Sequence, residues 1–265
     1  MNEQRFNYAQ SENRSNYSEE QKWESINWEK AEEYVNRLQL RIVKAVQGAK
    51  WNLVKRIQYL LSNSFYAKAL AVKKVTENKG KKTAGVDKEL WTTKKQKYQA
   101  AMDLTSKGYK AKPTRRVFIK KSNGELRPLS IPAMKDRAMQ TLYLSALQPI
   151  AETTGDRRSF GFRKYRSCTD AMEQLFTILS TKRSGQWILE GDIVGCFDNI
   201  RHEWMLNNVV MDKKILGKFL KAGFVHNKKL YPTTRGAIQG GSISSRHLQT
   251  LHWTDWKMRL PETIF

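Results

Sequence analysis

The residue best suited to chemistry in this sequence is Asp192, which lies in a largely apolar stretch between Trp187 and Arg201. The stretch reads Trp-Ile-Leu-Glu-Gly-Asp-Ile-Val-Gly-Cys-Phe-Asp-Asn-Ile-Arg, and its apolar runs predict a buried strand that ends in a turn. Because burial of an unpaired carboxylate costs free energy, Asp192 would need a basic side chain or a metal ion beside it. Only Cys196 offers a sulfur or imidazole ligand nearby, so an oxygen-ligated Mg²⁺ is the sharper prediction. The alternative is that Gly191 and Asp192 form an ordinary turn between two short strands.

The composition indicates a polyanionic partner. Lysine and arginine number 48 against 25 aspartate and glutamate residues, which gives a formal net charge of +23. Such a positive field favours nucleic acid, and the basic residues are interleaved with aromatic ones. With 40% hydrophobic and 11% aromatic residues, the chain has enough apolar material for a folded core.

Targeting signals are not recognisable in the sequence. No apolar run reaches about 18 residues, the length that a membrane-spanning helix needs. The N-terminus is rich in Asn, Ser, Glu and Gln and lacks the apolar segment of a signal peptide. The two cysteines, Cys168 and Cys196, have no metal-binding spacing and indicate no disulfide framework. We therefore predict a cytoplasmic protein without membrane contact.

The elements that must position Asp192 begin with a helical region. Residues 1–22 are polar and aperiodic, and we interpret them as a flexible arm. From Trp28 apolar residues recur at helical spacing until Gly48, and two further helices follow, the second over 67–75. Basic residues occur throughout these helices, and the candidate nucleic-acid contacts are Arg41, Lys44, Lys55 and Arg56. For any single one of them, the alternative is an ordinary solvated helix face.

A basic loop, Lys-Gly-Lys-Lys-Thr-Ala-Gly-Val-Asp, spans 79–87. It lacks the Gly-Lys-Ser/Thr ending of a P-loop and therefore does not indicate a nucleotide triphosphatase. Its backbone N–H groups are still candidate phosphate donors. A helix is predicted over 94–107, with Gly108 at its end.

Residues 115–131 predict a β-hairpin whose turn is Asn123-Gly124, the strongest short hairpin signal. Lys121 and Arg127 flank this turn on opposite strands. A register in which they face one another would form a cationic clamp able to hold a triphosphate.

The rest of the chain alternates helices with glycine-containing turns. Helices are predicted over 136–150, ended at Pro149, and over 169–179, 203–209 and 214–222. Between the first two, Ser-Phe-Gly-Phe-Arg at 159–163 is interpreted as a compact turn with a basic tip. Residues 236–244 form a glycine-rich segment with one amide side chain, Gln239, which by itself is typical of an ordinary loop.

In this order, the pieces resemble a bacterial group II intron reverse transcriptase, an intron-encoded protein that is also an RNA-splicing maturase. The resemblance covers about 23–245. It rests on Thr-Ala-Gly-Val-Asp at 83–87, Arg-Arg-Val at 115–117, Arg-Pro-Leu at 127–129, Asp-Arg-Ala-Met-Gln at 136–140, Ser-Phe-Gly-Phe-Arg at 159–163, Leu-Glu-Gly-Asp-Ile at 189–193, Gly-Cys-Phe-Asp-Asn-Ile at 195–200 and Gln-Gly-Gly at 239–241.

The resemblance implies an α+β fold, with a helical N-terminal reverse transcriptase domain over 23–110 and fingers with an incomplete right-hand palm over 111–245. It implies that Asp192 is one carboxylate of a two-Mg²⁺ polymerase site. Phe197 would exclude a ribose 2′-hydroxyl, Lys121 and Arg127 would contact the phosphates of the incoming nucleotide, and Gln239 would touch the template-primer. Intron or template RNA would lie on the basic N-terminal helices, and DNA would be a further partner of the full-length parent.

Two departures from the family pattern limit this assignment. Lys120 replaces a usual proline, and after Ser244 the sequence lacks the Pro-x-Leu-Ala-Asn and Tyr-Ala-Asp-Asp motifs, the second of which supplies the other metal-binding aspartates. We therefore interpret the chain as a truncated group II intron reverse transcriptase that is inactive as a polymerase alone. The alternatives are a non-catalytic RNA-binding module and a reverse transcriptase with another role, such as phage defence.

The last segment, 246–265, predicts a frameshift. One permitted encoding of 245–261, read after skipping its first two nucleotides, gives Pro-Thr-Leu-Ala-Asn-Ile-Ala-Leu-Asp-Gly-Leu-Glu-Asp-Glu-Ile-Thr, the continuation that the family pattern requires. The codons of Trp253, Trp256, Lys257 and Met258 allow little choice and still yield this reading. We expect sequencing of the locus to show Leu-Ala-Asn and then Tyr-Ala-Asp-Asp in the second frame. A second frame without these motifs would contradict the out-of-frame interpretation.

Overall fold

The computed structural model describes residues 17–161, 163–185, 187, 188, 190, 191 and 195–237, and for 196 and 197 it describes the backbone. The predicted α+β class is confirmed, because helices pack beside one four-stranded sheet. None of the described helices combines the length and apolar character needed to cross a bilayer.

Five helices come first, and their bounds are α1 Glu19–Glu24, α2 Trp28–Gln47, α3 Trp51–Asn63, α4 Phe65–Glu77 and α5 Lys94–Met102. Helix α1 begins inside the segment that was expected to be a flexible arm, so this expectation is wrong for residues 19–22. Ser18 and Gln21 form a reciprocal capping box at its start. Trp23 is buried and meets Trp28 edge to face, at 5.1 Å between ring centroids.

Helices α2, α3 and α4 follow the predicted apolar periodicity, with two exceptions in α3. Val54, Ile57 and Leu61 are buried, whereas Leu53 and Leu60 are exposed. Helix α5 ends earlier than the predicted residue 107. Asp103 accepts a hydrogen bond from the Gln99 side chain, and the segment after it bonds locally instead of continuing the helix.

The sheet has the order β2-β1-β3-β4, formed by β1 Thr114–Lys120, β2 Leu126–Ile131, β3 Phe224–His226 and β4 Lys229–Tyr231. Strands β1 and β2 are the predicted hairpin, and Gly124 takes a left-handed φ of 84° in its turn. Strand β3 pairs parallel to β1 and antiparallel to β4. This second hairpin was not predicted from the sequence. Its turn residues Asn227 and Lys228 both have positive φ, as a type I′ turn requires.

Helix α6, Met134–Thr154, is longer than predicted and contains Pro149 rather than ending there. A proline within a helix removes the hydrogen bond to the carbonyl four residues earlier. That carbonyl, on Ser145, instead accepts a hydrogen bond from Gln39 Nε2 of α2 at 2.7 Å. A side chain from another helix therefore satisfies the carbonyl that Pro149 leaves unpaired.

The remaining helices are α7 Cys168–Leu179, α8 Cys196–Asn199, α9 His202–Asn208 and α10 Lys213–Leu220. Helices α7, α9 and α10 lie close to the positions predicted for them, and α8 was not predicted. The buried strand expected from Trp187 is wrong at its start, since Trp187 is 96% exposed and Ile188 75% exposed. Among the described residues the sheet contains only β1–β4, so neither Trp187 nor Ile188 belongs to one of its strands.

Two adjacent charged residues at the start of α6 hold the first half of the molecule together. Buried Arg137 donates from Nε to Pro132 O at 2.9 Å, from Nη1 to Gly80 O at 3.0 Å, and from Nη2 to Thr83 O. Buried Asp136 accepts from the Tyr109 hydroxyl at 2.5 Å and from Lys112 N at 3.1 Å.

The loop 79–87 also packs closely against the start of α6. A Cβ added at Gly85 would lie 2.6 Å from Ala133 Cα, so only glycine lets the basic loop approach α6.

Burial raises the pKa of the Asp136 carboxyl, and the hydrogen bonds from Tyr109 and Lys112 oppose part of this shift. A carboxyl whose pKa is higher in the folded than in the unfolded state stabilises the fold fully at pH values below its unfolded-state pKa of about 3.9. This stabilisation is lost as pH rises through the folded-state pKa. We therefore expect the free energy of unfolding of the wild type, relative to that of Asp136→Asn, to fall as pH rises through this window. Urea unfolding at a series of pH values measures the difference.

Asp136→Leu, compared with Asp136→Asn, tests the hydrogen bonds separately from the charge, because both variants lack the charge and only leucine lacks an acceptor. It leaves the Tyr109 hydroxyl and Lys112 N without their acceptor and should destabilise the fold by about 1–3 kcal/mol. Asp103→Asn, at an exposed carboxylate, is the matched control. A similar pH dependence in both asparagine variants would show that the Asp136 carboxyl is not the titrating group.

Candidate functional site

The hairpin β1–β2 carries the two residues predicted to bind nucleotide phosphates. Arg127 is opposite Ile119, and Lys121 N bonds Glu125 O at 2.8 Å beyond the last paired residues. Lys121 and Arg127 therefore do not face one another. Strand alternation instead places them diagonally on one face of the hairpin, a separation that long side chains can still bridge. Both are exposed, and Lys121 Nζ lies 2.9 Å from the Glu125 carboxylate.

The opposite face of the hairpin presents Arg116, to which the sequence analysis gave no role. Its guanidinium lies over the Phe224 ring, 3.9 Å from the centroid. Its Nε atom is buried and has no hydrogen-bond partner within the described part of the chain. Burial lowers the pKa of Arg116, and the charge of Asp198 partly offsets this shift. Strand alternation predicts that Arg115 and Arg116 lie on opposite faces of the hairpin. The sequence does not reveal that Arg116 stacks on Phe224 of β3.

Arg116 lines a cavity of about 280 Å³ between the sheet and the short helix α8. The other walls include Ser130, Asp198, Asn199 and the segment 232–237. Helix α8 belongs to the stretch that also contains Asp192, so the cavity adjoins the predicted palm motif in sequence. The lining combines cations, hydroxyls, an amide and a carboxylate, a donor and acceptor set able to orient a polar ligand.

The predicted palm residues are only partly represented. Asp192 and Gln239 lie outside the described residues, and Phe197 is placed in α8 by its backbone alone. Among the residues that are described, no group of three His, Cys, Asp or Glu side chains could hold a metal ion. The predicted Mg²⁺ site depends on Asp192, which is outside the described residues, and it stays a prediction.

The four predicted nucleic-acid contacts all lie on the surface. Arg41 and Lys44 are exposed on α2, and Lys55 and Arg56 are exposed on α3, each within about two turns of the connection at 48–50. No acidic residue occurs between Glu33 and Glu77. The basic residues in that interval are Arg37, Arg41, Lys44, Lys50, Lys55, Arg56, Lys68, Lys73 and Lys74. This surface can attract phosphate without repulsion from carboxylates of its own segment.

Two other predicted basic features have structural roles. In the loop 79–87, the carbonyl of Ala84 accepts from the Arg115 guanidinium at 2.9 Å and 3.2 Å, so part of the backbone faces the protein. Arg163, interpreted from the sequence as the basic tip of a compact turn, is buried and pairs with Glu152 at 2.7 Å. It also donates to the carbonyls of Asp156 and Ser159, which explains the compact turn.

Comparison with known families gives two adjoining matches. Residues 23–104 match the N-terminal domain of reverse transcriptase, and residues 119–251 match the reverse transcriptase (RNA-dependent DNA polymerase) family. The first match covers helices α2–α5, and the second covers most of the hairpin and extends past β4.

Individual relatives include the group II intron-encoded protein LtrA of Lactococcus lactis subsp. cremoris, 35% identical over 196 residues, or 71% of this chain and 32% of LtrA. Protein YkfC of Escherichia coli is 37% identical over 150 residues, or 54% of this chain and 39% of YkfC. An uncharacterized 91 kDa protein in the cob intron of Schizosaccharomyces pombe is 32% identical over 147 residues, or 53% of this chain and 18% of that protein. The chain thus spans well under half of the length of each.

Because the second family match alone extends over half of the sequence, the chain belongs to the reverse transcriptase family, and its similarity to LtrA connects it with the group II intron-encoded members.

Proposed function

We propose that this chain is the fingers and partial palm of a group II intron reverse transcriptase and maturase, and that it binds intron RNA through α2 and α3. The observation that carries the proposal is the exposed basic surface over a segment without acidic residues. Phosphate contacts supply most of the affinity of such a surface for RNA, irrespective of sequence. A cytoplasmic location belongs to the same proposal, since the ligand is intracellular RNA.

The polymerase part of the proposal concerns the full-length parent. There, Asp192 would hold Mg²⁺, which supplies charge stabilisation at the reacting phosphate when bound. Lys121 and Arg127 would hold the phosphates of the incoming nucleotide, a role that their shared, exposed face of the hairpin supports. Phe197 would restrict the sugar, Gln239 would contact the template-primer, and RNA-directed DNA synthesis for splicing-coupled retrohoming would follow.

A salt titration tests the RNA-binding surface. We expect binding to a structured intron RNA to weaken steeply with salt, because each phosphate contact releases counterions. Replacing Arg41, Lys44, Lys55 and Arg56 together by glutamine should reduce the slope of log K against log salt by up to about 4. Filter binding between low and physiological salt measures both slopes.

The matched control removes the same number of charges elsewhere. Lys213, Lys214, Lys221 and Lys229 are also exposed, and their combined replacement by glutamine should leave the slope almost unchanged. Equal slopes in the two variants would show that the protein's overall charge, rather than the α2–α3 surface, determines binding.

A primer-extension assay separates RNA binding from catalysis. A site with one carboxylate should hold Mg²⁺ poorly, because polymerase sites use at least two carboxylates together with the nucleotide phosphates. We expect no DNA synthesis by this chain with primed RNA template, nucleotides and Mg²⁺, while a complete reverse transcriptase in the same buffer extends the primer. Synthesis that Asp192→Ala abolishes would contradict the expectation and show that the chain forms a working metal site.

A further inference from the structure

Helix α3 has an exposed face on which aromatic and basic side chains alternate. One row at four-residue spacing contains Trp51, Lys55 and Tyr59, and the neighbouring row contains Arg56 and the exposed Leu60. Trp51 is 41% exposed and Tyr59 68% exposed, although large aromatic side chains are usually among the more buried residues. Packing in the core therefore does not account for the presence of these two aromatic side chains.

The rotation of α3 is fixed by its other face. Val54, Ile57 and Leu61 are buried in the core, and Gln58 Nε2 donates to Val210 O at 2.7 Å. These contacts hold the opposite face toward solvent. The exposed rings are thus not an alternative core face that a small rotation of the helix would bury.

The charge of the surroundings favours nucleic acid over protein as the occupant. Helix α3 contains no acidic residue, and neither does the part of α2 that follows Glu33. An apolar protein surface would gain from the rings and from Leu60 but would also have to desolvate Lys55 and Arg56. A polynucleotide satisfies both features, because its phosphates pair with the cations and its bases stack on the rings.

The spacing indicates unpaired bases rather than a duplex. Trp51 and Tyr59 are eight residues apart, which corresponds to about 12 Å along the helix axis. This distance accommodates a few nucleotides of a single strand. In a duplex the base faces are covered by their neighbours, so exposed rings can stack only on bases in loops, bulges or single strands.

We propose that the exposed face of α3 is a stacking platform for unpaired RNA bases, with Lys55 and Arg56 holding the intervening phosphates. The proposal rests on the RNA-binding function above and adds the class of RNA structure that is recognised. It assigns to Trp51 and Tyr59 a selectivity for unpaired nucleotides that the basic residues alone do not provide.

The test measures the affinity of the protein for a labelled single-stranded RNA and for the same strand annealed to its complement. The strand has about 12 nucleotides, a length in the range of single-strand binding sites. Trp51→Ala/Tyr59→Ala should weaken binding to the single strand by about tenfold or more and leave the duplex affinity and the salt slope unchanged. Trp51→Phe/Tyr59→Phe should retain most of the single-strand affinity, because phenylalanine also stacks. Tyr165→Ala/Phe176→Ala removes two exposed aromatic side chains from other sites and is the matched control.

The outcomes distinguish the two proposals. Unchanged or equally reduced affinity for both RNAs in the alanine variant would overturn the stacking platform and leave RNA binding intact. Failure of the wild type to bind either RNA would overturn the proposed function and the platform with it. A change in sedimentation of the alanine variant, with RNA affinity unchanged, would identify the face as a self-association surface and also overturn the proposal.

Discussion

The buried guanidinium of Arg137 is the interaction on which the arrangement of the domain depends. Removing a cation from water is costly unless hydrogen-bond acceptors surround it, and here backbone carbonyls from the basic loop and from the residue after β2 provide them. Those carbonyls belong to segments about fifty residues apart in sequence. Next to it, Asp136 fixes Tyr109, whose carbonyl in turn accepts from Lys218 Nζ of α10 at 2.6 Å. The loop, the hairpin and the later helices are thereby oriented through neighbouring polar side chains, which specify geometry more strictly than apolar packing does.

Much of the fold could be predicted because its signals are local. Apolar spacing placed α2 and α4, and Asn123-Gly124 placed the turn between β1 and β2, since both features act through a few neighbouring residues. Pro149 misled the prediction because the acceptor that it frees is satisfied by Gln39, more than a hundred residues away in sequence. The exposure of Trp187 was equally hidden, because an apolar run does not show which distant elements will pack over its side chains.

The site was less predictable than the fold, for a related reason. Residue types indicated which side chains could bind phosphate, but the register decided that Lys121 and Arg127 are diagonal rather than opposite. Arg116 became visible only through β3, a three-residue strand paired with β1 across more than a hundred residues of sequence. Arg163 was a basic residue in a glycine-containing turn, and nothing local showed that its partner would be Glu152 of α6. Charge alone does not separate a ligand-binding arginine from one that closes a turn.

The hydrogen bond from Gln39 to Ser145 has a consequence for how the molecule is divided. Gln39 belongs to the region matched as an N-terminal domain, whereas Ser145 lies in the region matched as the polymerase. Gln58 of the first region likewise donates to Val210 of the second. The boundary between the two family matches is therefore not a boundary of cooperative folding. Separating the two regions would leave the Ser145 carbonyl, one turn before Pro149 in α6, without its donor and would expose the apolar faces of α2–α4, so we expect the two regions to unfold together.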